Sequence, residues 1–340
     1  MSASYRRRIA EGDREYSSGR FHSAAVAYEG AAADAEVPRD RNDARYRAAM
    51  ACRRVGDRAC TERLLSLVTG EGSDWEHRAR ARLQLAVMGL DSTVPSEIAA
   101  AHRSLAALVE EAPDTGPARG ALRLRLRALD AEIPIRSAAI TWLGSLAANP
   151  RIQNSLMIES VLAERAIRIE ATGDPVAAET AWLAVVEFVP YPDNSHWDDG
   201  HFALARVQRA VGRPRDALAT LARMLAVREV SWGNGSYAAP RFDDGAMLAA
   251  EILRDDLDEP RAAADAFHRV FSEHRTSLRR DNALWEEAAL RRKDDLVGAC
   301  VVWRTLLVEF PCQRFARRAV SEMAACPGLQ AAAPVCPGRD

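Results

Sequence analysis

A small residue, a large apolar residue four positions later and, in most copies, a third apolar residue three further on recur along this chain. The small position falls at Ala24, Thr61, Ala101, Ala138, Ala178, Ala217, Ala263 and Ala299. The large one falls at Tyr28, Leu65, Leu105, Trp142, Trp182, Leu221, Phe267 and Trp303. Successive copies lie 37, 40, 37, 40, 39, 46 and 36 residues apart. A spacing of four and then three places all three side chains on one helical face. A period near 40 residues leaves room for two helices and a turn. Such a hairpin cannot bury its apolar face alone, so the pattern demands that neighbours stack.

Turn signals fall where this reading needs them. Gly19, Gly56, Gly173 and Gly212 stand before the second helix of their copies, where a glycine permits positive φ. Pro190 and Pro311 follow second helices and stop them. Small residues such as Ala166 and Ala205 on the first helices let two backbones approach to about 8–10 Å. Burying one large side chain is worth about 1.5–3 kcal/mol, so a single hairpin is marginal.

Composition enters by exclusion. Apolar residues make up 48% of the 340 positions, and the formal charge is −2, which excludes a disordered polyelectrolyte. It also argues against general nucleic-acid affinity, which needs a basic surface. No apolar run reaches the 18 residues of a membrane span, so no membrane insertion is expected. Of the 46 basic residues only Lys293 is a lysine, and it sits in Arg291-Arg292-Lys293-Asp294-Asp295. A phosphate-binding loop, a kinase strand or a pyridoxal Schiff base needs a lysine in another setting. No His-Glu-x-x-His, Gly-x-Ser-x-Gly, Ser-x-x-Lys or Gly-x-Gly-x-x-Gly is present, and strand signals are nearly absent. The chain reads as all-α and not an enzyme, with no catalytic residues and no cofactor. The adjacent pairs Glu110-Glu111, Glu286-Glu287 and Asp294-Asp295 point apart on a helix and read as solvated faces.

With these residues in place, the chain resembles the tetratricopeptide repeat (TPR) family over about residues 5 to 325. The resemblance implies a TPR-like α-solenoid of about eight degenerate helix-turn-helix units. Residues 313–325 read as a C-terminal capping helix. The expected organisation is one array over 1–326 and a mobile tail over 327–340, which holds three Pro and two Gly. The stretch Glu309-Phe310-Pro311-Cys312-Gln313-Arg314-Phe315-Ala316-Arg317-Arg318-Ala319 is similar to the link between units of bacterial cell-envelope TPR proteins. Those include the Tol-Pal coordinator and the outer-membrane assembly lipoprotein. Arg280-Asp281-Asn282-Ala283-Leu284-Trp285 looks like their helix-A opening. No lipidation Cys or export signal is present as written.

The family's spacing places the first helix of each hairpin on a concave groove. Groove positions would then hold Asp13, Tyr16, Tyr46, Arg53, Arg123, Arg127, Phe202, Arg206, Arg209, Arg291 and Arg292, with Arg119 on the stripe of Arg123 and Arg127. Guanidinium forks bind carboxylates bidentately. The expectation is a non-catalytic scaffold that binds a protein or an acidic peptide through Arg53, Arg123, Arg127, Arg206, Arg209 and Arg291. Exposed end units can also self-associate into a homodimer.

Two long loops, 189–200 and 231–245, end in aromatic-Asp-Asp-Gly. One reading is a helix start, with Asp capping free N–H groups and the aromatic stapling the first turn. The other is an exposed lip of Tyr191, Trp197, Trp232 and Tyr237 that contacts a partner. His196, Asp198, Asp199 and His201 lack a standard metal-ligand spacing and read as capping residues and surface histidines, with no metal.

The six cysteines divide by position. Cys52 and Cys60 flank one turn, Cys300 and Cys326 come together if the last helices are antiparallel, and Cys312 and Cys336 remain. Pairing points to an oxidising compartment. Free small core residues point to a reduced one. The expected compartment is the cytoplasm, with the periplasm or envelope as the alternative if an export signal is missing from this chain.

Overall fold

The computed structural model describes residues 2–70, 75–131, 136–191, 193–227 and 241–326. Eighteen helices and no strand occur among the described residues. The fold is all-α and consists of successive helix-turn-helix units. The first four pairs are α1 (Ala3–Ser17) with α2 (Phe21–Asp34), α3 (Pro38–Val55) with α4 (Arg58–Thr69), α5 (Trp75–Leu90) with α6 (Pro95–Glu111), and α7 (Gly116–Ala131) with α8 (Arg136–Ala148). A single turn, α9 (Pro150–Gln153), follows. The next four are α10 (Ile158–Glu170) with α11 (Pro175–Phe188), α12 (Trp197–Ala210) with α13 (Pro214–Ala226), α14 (Phe242–Asp255) with α15 (Pro260–Glu273), and α16 (Arg280–Arg291) with α17 (Leu296–Glu309). α18 (Ala316–Met323) comes last and packs on α17.

The chain divides into two compact units, Met1–Val161 and Leu162–Asp340. In unit one each helix from α1 to α8 packs on the next in sequence, and α3 also touches α5 and α5 touches α7. In unit two α11 to α18 do the same, and α12 touches α14. Contact with the next and next-but-one helix is the signature of a stacked row.

Local chemistry sets the boundaries. Gly19, Gly56, Gly173 and Gly212 all have φ between 75° and 85°. A Cβ at these four would meet no atom within 4 Å, so the glycines serve backbone conformation and not close packing. The seventh hairpin puts Asp258 in the same place, at φ 52°. Aspartate tolerates this region better than most residues. Pro38, Pro95, Pro175, Pro214 and Pro260 open their helices, where a missing N–H costs nothing. Asp57, Asp174 and Asp295 cap α4, α11 and α17 by accepting backbone N–H bonds.

The repeating positions form the core. Ala24, Thr61, Ala217, Ala263 and Ala299 are fully buried, and so are Leu65, Leu105, Leu221 and Phe267. The fourth unit is shifted by one residue. Ala138 is only half-buried and Ser145 is exposed, while Ala139, Leu143 and Leu146 face inward. Two adjacent alanines satisfy the pattern equally in sequence, and packing selects the second. In unit two the apolar contacts run without a break. Leu221 and Met224 meet Phe242 and Ile252, Met247 meets Phe267 and Ala283, and Leu284 meets Trp303 and Phe315.

Candidate functional site

The first helices of the hairpins carry the charged positions. Within unit two, α10, α12 and α14 border a groove of about 750 Å³. Its floor is apolar: Val207, Met247 and Leu248 are buried and Phe202 is half-buried. Its walls carry Arg206, Arg209 and Arg279 beside Glu170, Asp174, Asp244, Glu251 and Asp256.

The expected groove residues Phe202, Arg206 and Arg209 all line it. The guanidiniums are not free. Arg206 pairs with Glu170 at 3.2 Å. Arg209 faces Asp256 at 2.7 Å, Asp255 at 3.2 Å and Glu251 at 3.6 Å. Arg291, further along unit two, binds Glu287 at 2.9 Å and Asp265 at 3.1 Å, and Arg292 binds Glu322. Apart from Glu287, one helical turn before Arg291, these partners lie 26 to 47 residues away, so helix-face spacing alone does not reveal them.

Unit one differs. Arg53 donates to the Gln84 amide oxygen. Arg119, Arg123 and Arg127 are exposed along one face of α7 and have no carboxylate within 4.0 Å among the described residues. Asp13, another expected groove position, accepts from Tyr28 at 2.7 Å and Arg47 at 3.0 Å. A second groove, of about 720 Å³, borders α1, α3 and α5 and includes Asp13, Asp40, Asp43, Glu76, Arg6 and Arg47.

The two aromatic-Asp-Asp-Gly sequences are helix starts. Trp197 and Phe242 are buried, 7% and 1% exposed. Trp197 packs with Tyr191, at 5.3 Å between ring centres, and with the Leu221 and Met224 side of α13. Trp197 therefore does not stand on an exposed lip: its indole is buried with Tyr191 and with α13, the second helix of its own hairpin. Tyr191 is half-buried. Trp232 and Tyr237 lie outside the described residues, as do the tail 327–340 and Cys336.

The glycines of these motifs have a packing role. A Cβ on Gly200 would sit 2.9 Å from the Val185 and Val186 methyls of α11. One on Gly245 would reach the Met224 methyl. The carboxylates bind across hairpins. Asp198 accepts from the Arg241 backbone N–H at 3.1 Å, and Asp199 receives the Arg241 guanidinium at 2.7 Å. Asp244 is shared by Arg241 and Arg279, and Asp243 accepts from Ser277. The result is a charge ladder running over the starts of α12, α14 and α16.

His201 is not a surface residue. It is 3% exposed, lies against Trp197, and its Nδ1–H donates to the Trp197 carbonyl at 2.8 Å. Burial, the largest cause, and the nearby Arg223 together pull its pKa down to about 4, against the bond to the Trp197 carbonyl, which raises it. Asp198 is pushed up, chiefly by burial. Glu287, expected on a solvated face, is 1% exposed and binds His268 at 3.0 Å as well as Arg291.

Cys52 is bonded to Cys60, tying α3 to α4 across the Gly56 turn, and Cys300 to Cys326, tying α17 to the residues after α18. The Cα–Cα distances are 6.0 and 5.9 Å. Cys312 is also disulfide-bonded. No described helix is long and apolar enough to cross a membrane.

No family model matches the chain, and neither does any curated protein. Among solved structures it is similar to the TPR domain of P58(IPK), at 16% identity, covering 94% of this chain and 88% of that one, with a TM-score of 0.29.

Proposed function

We propose that the protein is a non-catalytic scaffold that binds protein segments on the exposed faces of its first helices. Open grooves with apolar floors and charged walls on those faces are the observation that supports this reading. An acidic peptide fits one place best. Of the six arginines expected to hold it, Arg123 and Arg127 are exposed with neither a carboxylate nor an amide partner among the described residues. Arg119 extends the stripe by one turn. Two free guanidinium forks one turn apart match two carboxylates on an extended or helical segment. Arg206, Arg209 and Arg291 already hold the protein's own carboxylates.

Charge reversal tests the assignment. Arg123→Glu with Arg127→Glu is expected to remove acidic partners from a pull-down while the helical signal stays intact. Each lost charge-assisted bond is worth about 1.5–3 kcal/mol, so binding of an acidic peptide should fall at least tenfold. Unchanged capture by the double variant would remove the reading's main support.

A second reading, an envelope or secretion-machine component working in an oxidising compartment, is favoured by the cysteines. Disulfide pairing persists outside reducing compartments, and no cysteine among the described residues is free. Intact-mass spectrometry of chain purified natively without reductant should find no free thiol. Six free thiols would discard this reading and favour the cytoplasm.

A further inference from the structure

The groove in unit two has the wrong sign for an acidic ligand. Five carboxylates and three guanidiniums line it. The excess concentrates at one end. There Glu251 and Asp256 line the groove and share Arg209 with Asp255, and Asp255 and Glu286, outside the lining, share Arg254, with no other guanidinium on these four among the described residues. Two guanidiniums against four carboxylates leave two negative charges. That end is also formed by the last turns of α12 and α14, where the negative pole of each helix dipole lies. Charge and dipole act together on the same spot.

We propose that this groove takes an extended, positively charged peptide segment of a protein partner. The inference rests on the groove reading above and fixes the partner's charge. Lys and Arg side chains suit both parts of the site. Their aliphatic stems lie on Phe202, Met247 and Leu248, and their charged heads reach Glu251 and Asp256. A volume of about 750 Å³ falls within the roughly 300–1,000 Å³ of sites that enclose a small ligand. It therefore fits a few residues of chain and not a folded surface. The protein would then offer a cation-binding groove in unit two and an anion-binding stripe in unit one.

The test uses the full chain and three labelled peptides of equal length that differ only in carrying Arg, Gln or Glu at alternate positions. Fluorescence anisotropy gives affinity, and the Met247 methyl resonance reports where the peptide sits. The Arg peptide is expected to bind at least tenfold more tightly than the Gln peptide, to weaken as salt rises and to shift the Met247 methyl. Glu251→Gln with Asp256→Asn should weaken it about tenfold. Glu187→Gln with Asp193→Asn removes the same charge outside the groove and should change affinity less than twofold. If the first pair lowers the melting temperature markedly, Glu251→Gln alone is read in its place and should weaken binding about threefold. Equal weakening by the control pair would overturn the proposal, because general charge attraction would then explain the binding. A Gln or Glu peptide that binds as tightly and shifts Met247 would overturn the charge assignment and leave the groove reading standing. If no peptide shifts Met247, the proposal falls and so does the reading of the unit-two groove as a peptide site, while the Arg123 and Arg127 stripe stands or falls on its own charge-reversal test.

Discussion

Replacing Trp303 with alanine is expected to cost about 3–5 kcal/mol, the range for deleting a large buried aromatic side chain. Trp303 is 1% exposed and sits where three helices meet. Leu284 and Ala288 approach from α16, and Phe315, Ala319 and Met323 from α18 and its N-cap. One term works the other way. The indole N–H has no hydrogen-bond partner, and an unmet buried donor costs about 1–3 kcal/mol, which its removal recovers. The cavity term is larger, so the net effect remains a loss. Trp303→Phe separates the two, since it removes the N–H and keeps most of the volume. It should cost no more than about 1 kcal/mol. Trp75, 57% exposed, is the control, and its alanine variant should stay within about 0.5 kcal/mol of wild type. Thermal melts followed by circular dichroism check all three. A Trp303→Ala melt close to that of wild type would contradict the packing described for the last hairpin.

The second large effect depends on pH. His201 is buried neutral, with a folded pKa of about 4 against 6.5 in the unfolded chain. Between those values the unfolded state binds the proton and the folded state does not. Stability is therefore full above pH 6.5 and falls as the pH drops towards 4. The shift corresponds to a loss on the order of 3 kcal/mol. Asp198 works in the opposite direction, since burial raises its pKa and the folded state takes up a proton first as pH falls. The net acid loss in wild type is thus smaller than the histidine alone would give. His201→Phe keeps a ring beside Trp197 and removes the titration. Melting curves at pH 7 and pH 4.5 should show the wild type losing much more stability than His201→Phe. Parallel losses would show that the imidazole is not held neutral.

How much of this was legible in the sequence follows the range of the interactions. The hairpins, their number and their turns were readable because the signals are local. Gly173-Asp174-Pro175 holds a left-handed turn, a cap and a helix start in three consecutive residues. Ala178, Trp182 and Val185 then mark one face of the helix that follows. The one-residue error at Ala138 arose where Ala138 and Ala139 offer the same small side chain. The candidate site was less legible. Spacing placed Phe202, Arg206 and Arg209 on a common surface, and they do line one groove. Spacing could not show that Arg209 meets carboxylates at the end of α14, which tertiary packing brings within reach. The same limit hid the burial of Trp197. An aromatic before Asp-Asp-Gly suits an exposed loop and a helix staple equally well until Tyr191 and α13 are packed beside it. His201 reads as a surface histidine until Trp197 covers it.

In unit two, each hairpin from α12 to α17 shares its apolar contacts with its neighbours in the row. Hydrogen exchange read by mass spectrometry on Trp303→Ala tests that claim most directly. Exchange is expected to rise in α16 to α18, less in α14 and α15, and to stay at wild-type rates in α12 and α13. A row of nearest-neighbour units loses protection in this graded way. A uniform rise from α11 to α18 would mean that the helices close on one common core, and would contradict the account.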